Sequence, residues 1–333
     1  MKEYKSKIVR FHEPGGPEVL KLDDIIITKL QPHDVLVNVK AVGINRIDTL
    51  FRMGVVMPPK YPSKIGYEGS GIIVTVGDQV KNFKTGDEVS ILPAFSNDDY
   101  GTYGELVLMP EYALQPKSKQ LSFEEAASLW TSYFVAYGMI VDQGKLQSGQ
   151  YVIINAASSS VGLAAIQITN MLGGIPIALT TSENKIERLM EYGAKHVIVT
   201  KEENIPHQVM KITENKGAHL ILDAVGGAQF NDLIQSTSQR GIIFAYGVLS
   251  NDQKGVYDAS IVAFNMLTII GYNSEDLVAD PQKRAEAIAF ITEGVNNGAL
   301  KPIVSKTFNL IDVQEAHKYM ESNQQFGKVV LVN

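Results

Sequence analysis

Three consecutive serines, Ser158, Ser159 and Ser160, stand between a short β-branched run, YVIIN (151–155), and a segment whose apolar residues Val161, Ala164, Ala165, Ile168 and Leu172 recur at helical spacing. The chemistry open to such a stretch is anion binding. A buried strand that bends through small residues into a helix turns unpaired N–H groups, and the positive end of the helix dipole, toward a phosphate. Dinucleotide turns favour glycine at the first two of three spaced positions. Here Ala157 and Ser159 hold those places and Gly162 holds the third. By itself the pattern fits a nucleotide site and an ordinary strand–turn–helix about equally.

A second group bears on which dinucleotide. Sites that prefer NAD carry an acid about 20 residues past the turn, at the end of the second strand, to hold the ribose 2′-hydroxyl. The chain reads IPIALTTSENK there, with Thr180, Thr181 and Ser182 in the acid's place, Lys185 just beyond and Arg188 after it. Hydroxyls and a cation welcome a 2′-phosphate that an acid would repel. The residues therefore favour NADPH, with Thr181, Ser182 and Lys185 beside its phosphate. Glu183 runs against this unless it caps the following helix. The other reading of the segment is a helix cap followed by a solvated lysine.

Metal chemistry is poorly supplied. The chain has no cysteine, which excludes a disulfide, a thiol nucleophile and a thiolate zinc site. Its histidines, His12, His33, His196, His207, His219 and His317, are scattered without metal-ligand spacing, so no bound metal is expected.

These residues need elements to hold them. A length of 333 residues exceeds one ordinary core and implies two domains. Hydrophobic content of 45% with 20% charged residues describes a soluble globular protein, and no apolar run is long enough to span a membrane. MKEYKSKIVRF lacks the apolar core of a signal peptide, which predicts a cytoplasmic location. A net charge of −6 without a lysine/arginine cluster argues against a nucleic-acid partner. Residues 1–122 read as β-rich, with short strands at 7–11, 35–42, 71–76, 88–92 and 105–109 between glycine- and proline-bearing turns. Small antiparallel sheets or a partly open barrel suit that texture. Ser122 and Glu125 have capping-box spacing and open a helix through SFEEAASLWTSYFVAYGMI. Strands at 151–155, 175–180, 196–199, 220–224, 241–246 and 267–272 then alternate with helical stretches at 185–192, 228–236 and 281–296, which predicts a parallel, doubly wound sheet. Strand-like segments at 302–308 and 327–332 are expected to rejoin the first domain. The domains are then 1–122 with 300–333, and 123–299.

Read in order, GGPEVLKL (15–22), VGINRIDTLFRMG (42–54), GYEGSGIIVTVGDQVKNFKTGDEV (66–89), AASLWTSYFVAYG (126–138), NAASSSVGLAAIQ (155–167), LMEYGAKHVI (189–198), LDAVGG (222–227) and GKVVLV (327–332) resemble the zinc-free quinone oxidoreductase branch of the medium-chain dehydrogenase/reductase superfamily. The likeness covers essentially the whole chain. It implies an α/β protein with a GroES-like β-rich catalytic domain and a Rossmann-type cofactor domain, reducing quinones or α,β-unsaturated carbonyl compounds with NADPH. It places cofactor contacts at Ala157, Ser158, Ser159, Ser160, Val161 and Gly162, and at Asn45, Thr131, Tyr246, Gly247 and Lys328. Thr131 reads alternatively as a threonine bonding back within its helix, and Lys328 as an exposed edge charge. Tyr246 and Gly247 end a predicted strand at the carboxyl edge, where ligands sit in such sheets.

Zinc-using relatives take a cysteine, a histidine–glutamate pair and one further ligand. This chain has Tyr67 at the histidine position, keeps Glu68, and has Asn45 near the first ligand's segment. Glutamate alone cannot assemble a tetrahedral site. Without a Lewis acid, oxidation of a simple alcohol lacks alkoxide stabilisation, whereas hydride delivered to an electron-poor carbon leaves an anion that hydrogen bonds stabilise. Asn45 and Tyr67 are the catalytic candidates, with Asp48 and Tyr61 as further polar residues and solvent as another proton source. Asp48 reads alternatively as the brace of its own loop, and Tyr67 as packing. Leu50 and Val56 stand where relatives often carry tyrosines, which makes the pocket apolar and weakens an enoyl-thioester reductase reading. The apolar run FNMLTIIGY (264–272) is expected to form an edge strand that pairs two copies into a homodimer, unless residues after Tyr272 cover it. The competing functions are a cofactor-binding protein with little catalysis, in a structural or sensing role, and an alcohol dehydrogenase-like enzyme.

Overall fold

The structure, a computed structural model, describes residues 3–250, 252 and 254–333. Two compact units form, Met1–Thr131 with Lys301–Asn333, and Ser132–Leu300.

The first unit is built on the strand Asp34–Ile44, most of whose residues are buried. Glu68–Val76 pairs antiparallel along it on one side, and on the other Leu106–Pro110 pairs with its first half and Lys328–Val332 with its second. The order across the main sheet is Val304–Asn309, Lys328–Val332, Asp34–Ile44, Glu68–Val76, Glu88–Ile91 and Leu114–Pro116. Val35, Val37 and Val39 point into one core with Ile73, Val89, Ile91, Val329 and Leu331, the period-2 signature of a strand with one face inward. Because Lys328–Val332 has a neighbour on each side, position 328 lies inside the sheet.

The second unit holds six parallel strands, ordered His196–Val199, Ile175–Thr180, Tyr151–Ile154, Ala218–Asp223, Thr237–Ala245 and Thr268–Gly271. Ile153, Ile177, Leu179, Ile221 and Ile243 make its core. The chain winds outward in one direction from Tyr151–Ile154 and then crosses to Ala218–Asp223, so the order reverses between those two strands. Open α/β sheets bind ligands at such a reversal, outside the carboxyl ends of the strands.

Two elements differ from expectation. The helix opened by Ser122 has its capping box, with the Glu125 N–H donating to Ser122 Oγ and the Ser122 N–H to Glu125 Oε2. It ends after Phe123–Ala126 and restarts as Trp130–Tyr137. At this break Ser70 Oγ donates to Phe123 O at 2.6 Å, and the Ala127 carbonyl packs against Gly43, 2.2 Å from where a Cβ on that residue would be. The run 264–272 is a strand only at Thr268–Gly271. Phe264 closes the short helix Ala259–Phe264 and Met266 turns the chain at φ 51°. An unbroken apolar run carries no period to separate a helix end from a strand.

Candidate functional site

In the first unit a buried polar cluster forms around Glu68, at the start of its strand. Lys328 Nζ is ion-paired with Glu68 Oε1, and both side chains are almost fully buried. The same ammonium donates to Asn45 Oδ1 at 2.6 Å. Asn45 Nδ2 donates to Glu68 Oε1 at 3.1 Å and to Gly43 O at 3.3 Å. The restart of the helix at Trp130 leaves the Thr131 N–H without a helical acceptor, and Glu68 Oε2 takes it at 3.1 Å. Gly43 makes room, since a Cβ there would lie 2.7 Å from Lys328 Cε. The partners fix the amide's orientation. Ammonium hydrogens need the oxygen, and a carboxylate and a carbonyl need the nitrogen. Asn45 has therefore spent both N–H bonds and keeps only acceptor capacity.

Beside this cluster the Thr131 hydroxyl is buried and bonds to no protein group, so the back-bonded reading of Thr131 does not hold. Lys328 is likewise no edge charge. Tyr67 stacks on Phe95 with ring centroids 6.5 Å apart and planes 19° from parallel, offering a flat aromatic wall. Tyr61 stays 43% exposed. Asp48 braces its own loop, accepting the Asn45 backbone N–H at 2.7 Å. Desolvation raises its carboxyl to about 7, against the pull of that N–H, of Lys328 and of Tyr103.

In the second unit the serine turn takes shape without its first two glycines. Ala156 adopts the left-handed conformation at φ 49°, and Ser159 caps the helix Ser160–Met171 by accepting the Gly162 N–H at 3.0 Å. Gly162 lets the helix start on top of the turn, where a Cβ would meet Ala157 O at 2.6 Å. The Ser159 hydroxyl thus serves as cap. Lys185 reaches back to the turn, its Nζ donating to Ser158 Oγ at 3.0 Å. Desolvation, then the neighbouring Arg188, lowers its pKa. Thr181 is exposed, and the Ser182 hydroxyl donates to Asn184 Oδ1 at 2.8 Å. Tyr246 and Gly247 follow the fifth strand. Burial pushes the Tyr246 phenol well above its usual range; the Asp223 charge adds to this and Ser159 opposes it.

Sequence reasoning missed three features. Asn155 Nδ2 donates to Asp223 Oδ1 and to Gln229 Oε1, both at 2.9 Å, while Asp223 holds the N–H groups of Val225 and Gly226, so the two strand ends at the reversal are clamped together. The signal was present in NAASSS and LDAVGG, each a strand ending in a polar residue before small ones. Glu183 meets the carboxyl of Glu202, whose pKa it raises, so it does more than cap a turn. The third is a buried chain of side chains behind Asp48, through Tyr103 to His317. Among the described residues, no three histidine, aspartate or glutamate side chains gather within reach of one metal ion.

Two family descriptions match the chain, the alcohol dehydrogenase GroES-like domain over residues 31–119 and the zinc-binding dehydrogenase over residues 160–293. A quinone oxidoreductase of Pseudomonas aeruginosa is 28% identical over 98% of this chain and 99% of its own. The quinone oxidoreductase-like protein 2 homolog of Nematostella vectensis is 31% identical over 99% of this chain and 89% of its own. Among solved structures, an NAD-dependent alcohol dehydrogenase superposes with a TM-score of 0.90 at 32% identity, covering 98% of this chain and 99% of that one. Escherichia coli quinone oxidoreductase complexed with NADPH gives 0.88 at 27%, covering 98% and 100%. With this fold, the serine turn and these relatives, the chain belongs to the quinone oxidoreductase branch of the medium-chain dehydrogenase/reductase superfamily. It is an oxidoreductase of a family that binds NAD(P), and its substrate is a small molecule.

Proposed function

We propose that the protein transfers hydride from NADPH to a quinone or an α,β-unsaturated carbonyl compound without zinc, as a cytoplasmic homodimer paired through the outermost strand Thr268–Gly271. The observation that carries this reading is the occupancy of Glu68. Its carboxylate is held by the Lys328 ammonium, the Asn45 amide and the Thr131 N–H. A zinc ion there would have to displace a buried cation, and neither Tyr67 nor Asn45 replaces the nitrogen and sulfur donors such a site takes. The donor set does not fit zinc.

The dinucleotide fits the turn. Ser160 and Val161 start a helix whose first N–H groups are open to a pyrophosphate, with Lys185 and the Ser158 hydroxyl beside them. Lys185, held at the turn through Ser158, would supply the positive charge for a 2′-phosphate. Bound there, the nicotinamide supplies the hydride. The chain's own residues then hold and polarise. Thr131 has a free hydroxyl to donate to a carbonyl oxygen that gains charge, and Asn45 Oδ1 accepts from an amide or hydroxyl. The stacked rings of Tyr67 and Phe95 would supply an aromatic surface for a planar acceptor.

Steady-state NADPH oxidation against a panel of quinones and enones, run beside NADP-dependent oxidation of simple alcohols and elemental analysis of the purified protein, tests the reading. Turnover with the electron-poor acceptors and substoichiometric zinc are expected. Alcohol oxidation with one zinc per chain would overturn it, and NADPH binding without any turnover would leave a binding protein.

A further inference from the structure

Behind Asn45 runs a chain of buried side chains that the proposed chemistry does not use. Asp48, on the helix Arg46–Arg52, accepts the Asn45 backbone N–H and, at 3.2 Å, the hydroxyl of Tyr103. That hydroxyl lies 3.2 Å from His317 Nε2, on the C-terminal helix Val313–Glu321. His317 Nδ1 lies 3.0 Å from Arg52 Nη1, and Arg52 Nη2 reaches Glu321 Oε1 at 2.5 Å. Asp48, Tyr103, His317 and Arg52 are all at most 2% exposed, whereas the Glu321 side chain is 31% exposed.

The hydrogens on this chain have one consistent arrangement. Arginine only donates, so Nδ1 must accept and the imidazole carries its hydrogen on Nε2. That hydrogen points at the Tyr103 oxygen, and the phenol's own hydrogen is left for Asp48. A neutral ring agrees with burial and with the Arg52 charge, which hold His317 down at about 3. The end at Glu321 does not conduct protons inward, because the arginine between it and His317 does not give one up. The chain holds; it does not relay.

We infer that Tyr103 and His317 are positioning residues, which through Asp48 fix the backbone at Asn45 and so the amide that meets Lys328 and Glu68. The inference rests on the reading of Asn45 as a contact at the reacting end. Removing the Tyr103 hydroxyl takes one donor from Asp48 and leaves the His317 N–H unpaired, and a buried network missing one member loses its single geometry.

Two readouts test it. In Tyr103→Phe, kcat with a quinone acceptor should fall about tenfold while the NADPH dissociation constant, from fluorescence titration, stays within about twofold, the pattern of a misplaced contact. Amide hydrogen exchange over residues 45–52 should quicken in the same variant relative to the rest of the first unit. His317→Gln, which keeps an N–H for Tyr103, should retain more of both than His317→Leu, and this pair carries the test if Tyr103→Phe does not fold. A lowered melting temperature with kcat and local exchange unchanged, or Gln and Leu indistinguishable at 317, overturns the inference. Faster exchange over 45–52 in a protein that turns over no quinone or enone upholds the coupling and sinks the functional reading instead.

Discussion

With both N–H bonds of its amide taken by Glu68 and Gly43, Asn45 has only its oxygen to offer, and the Thr131 hydroxyl is a free donor beside the cluster. Thr131→Val keeps the shape and removes the hydroxyl. It should lower kcat about tenfold, the worth of one neutral hydrogen bond at a developing charge, and Thr131→Ser should restore most of it. Unchanged kcat in Thr131→Val would remove the residue from the chemistry. At the other unit's turn, a lysine–phosphate bond contributes on the order of 1.5–3 kcal/mol, so Lys185→Ala should raise the Michaelis constant for NADPH by roughly tenfold or more and leave that for NADH nearly unchanged. Equal losses with both cofactors would defeat the assignment of Lys185. The Glu183–Glu202 contact puts negative charge next to the same segment. Both carboxyls are exposed, so their effect is modest. Glu202→Gln should lower the NADPH Michaelis constant by about two- to fivefold, the range of a screened surface charge pair, and a rise instead would mean that the pair does not face the phosphate.

At the scale of elements, the helix Arg46–Arg52 is tied down by buried ionisable groups, and this has a pH signature. The Asp48 carboxyl stands at about 7 in the folded protein, against about 4 for an unfolded aspartate. Between those values the folded protein keeps a proton that the unfolded chain releases. Its contribution is fully present below about pH 4, is lost as pH climbs toward 7, and changes little beyond. The loss is on the order of a few kcal/mol. Asp48→Asn abolishes this slope. Urea unfolding at pH 5 and pH 8 should therefore show the variant trailing the wild type by more at pH 5 than at pH 8. A gap that is constant with pH would show that Asp48 is ionised throughout.

For the whole molecule, the feature that bears on assembly is the outermost strand of the parallel sheet. Thr268, Ile269 and Gly271 are exposed on Thr268–Gly271, and Phe264 just before it is 80% exposed. A strand with one free edge and apolar side chains invites pairing with its own copy. Light scattering should give twice the chain mass for the wild type, and Ile269→Lys should shift it toward the monomer. A wild type that runs as a monomer at micromolar concentration sinks the homodimer.

The sequence by itself determined the parts whose logic is local. The Ser122–Glu125 cap, the YVIIN strand running into the serine turn, and the alternation that made a parallel sheet all depend on residues a few positions apart, where periods of 2 and 3.6 and capping rules apply. Tertiary structure decided what each polar side chain does. Lys328 became the buried partner of Asn45, 283 positions away, Glu68 took the backbone N–H of Thr131 where a helix restarts, and the Thr131 hydroxyl was left without a protein partner. Glu183 found Glu202, and Tyr103 found His317. No spacing rule reaches across such separations. Whether a lysine is a surface charge or the occupant of a carboxylate site depends on which strands flank it, and that is settled only when the sheet closes around it.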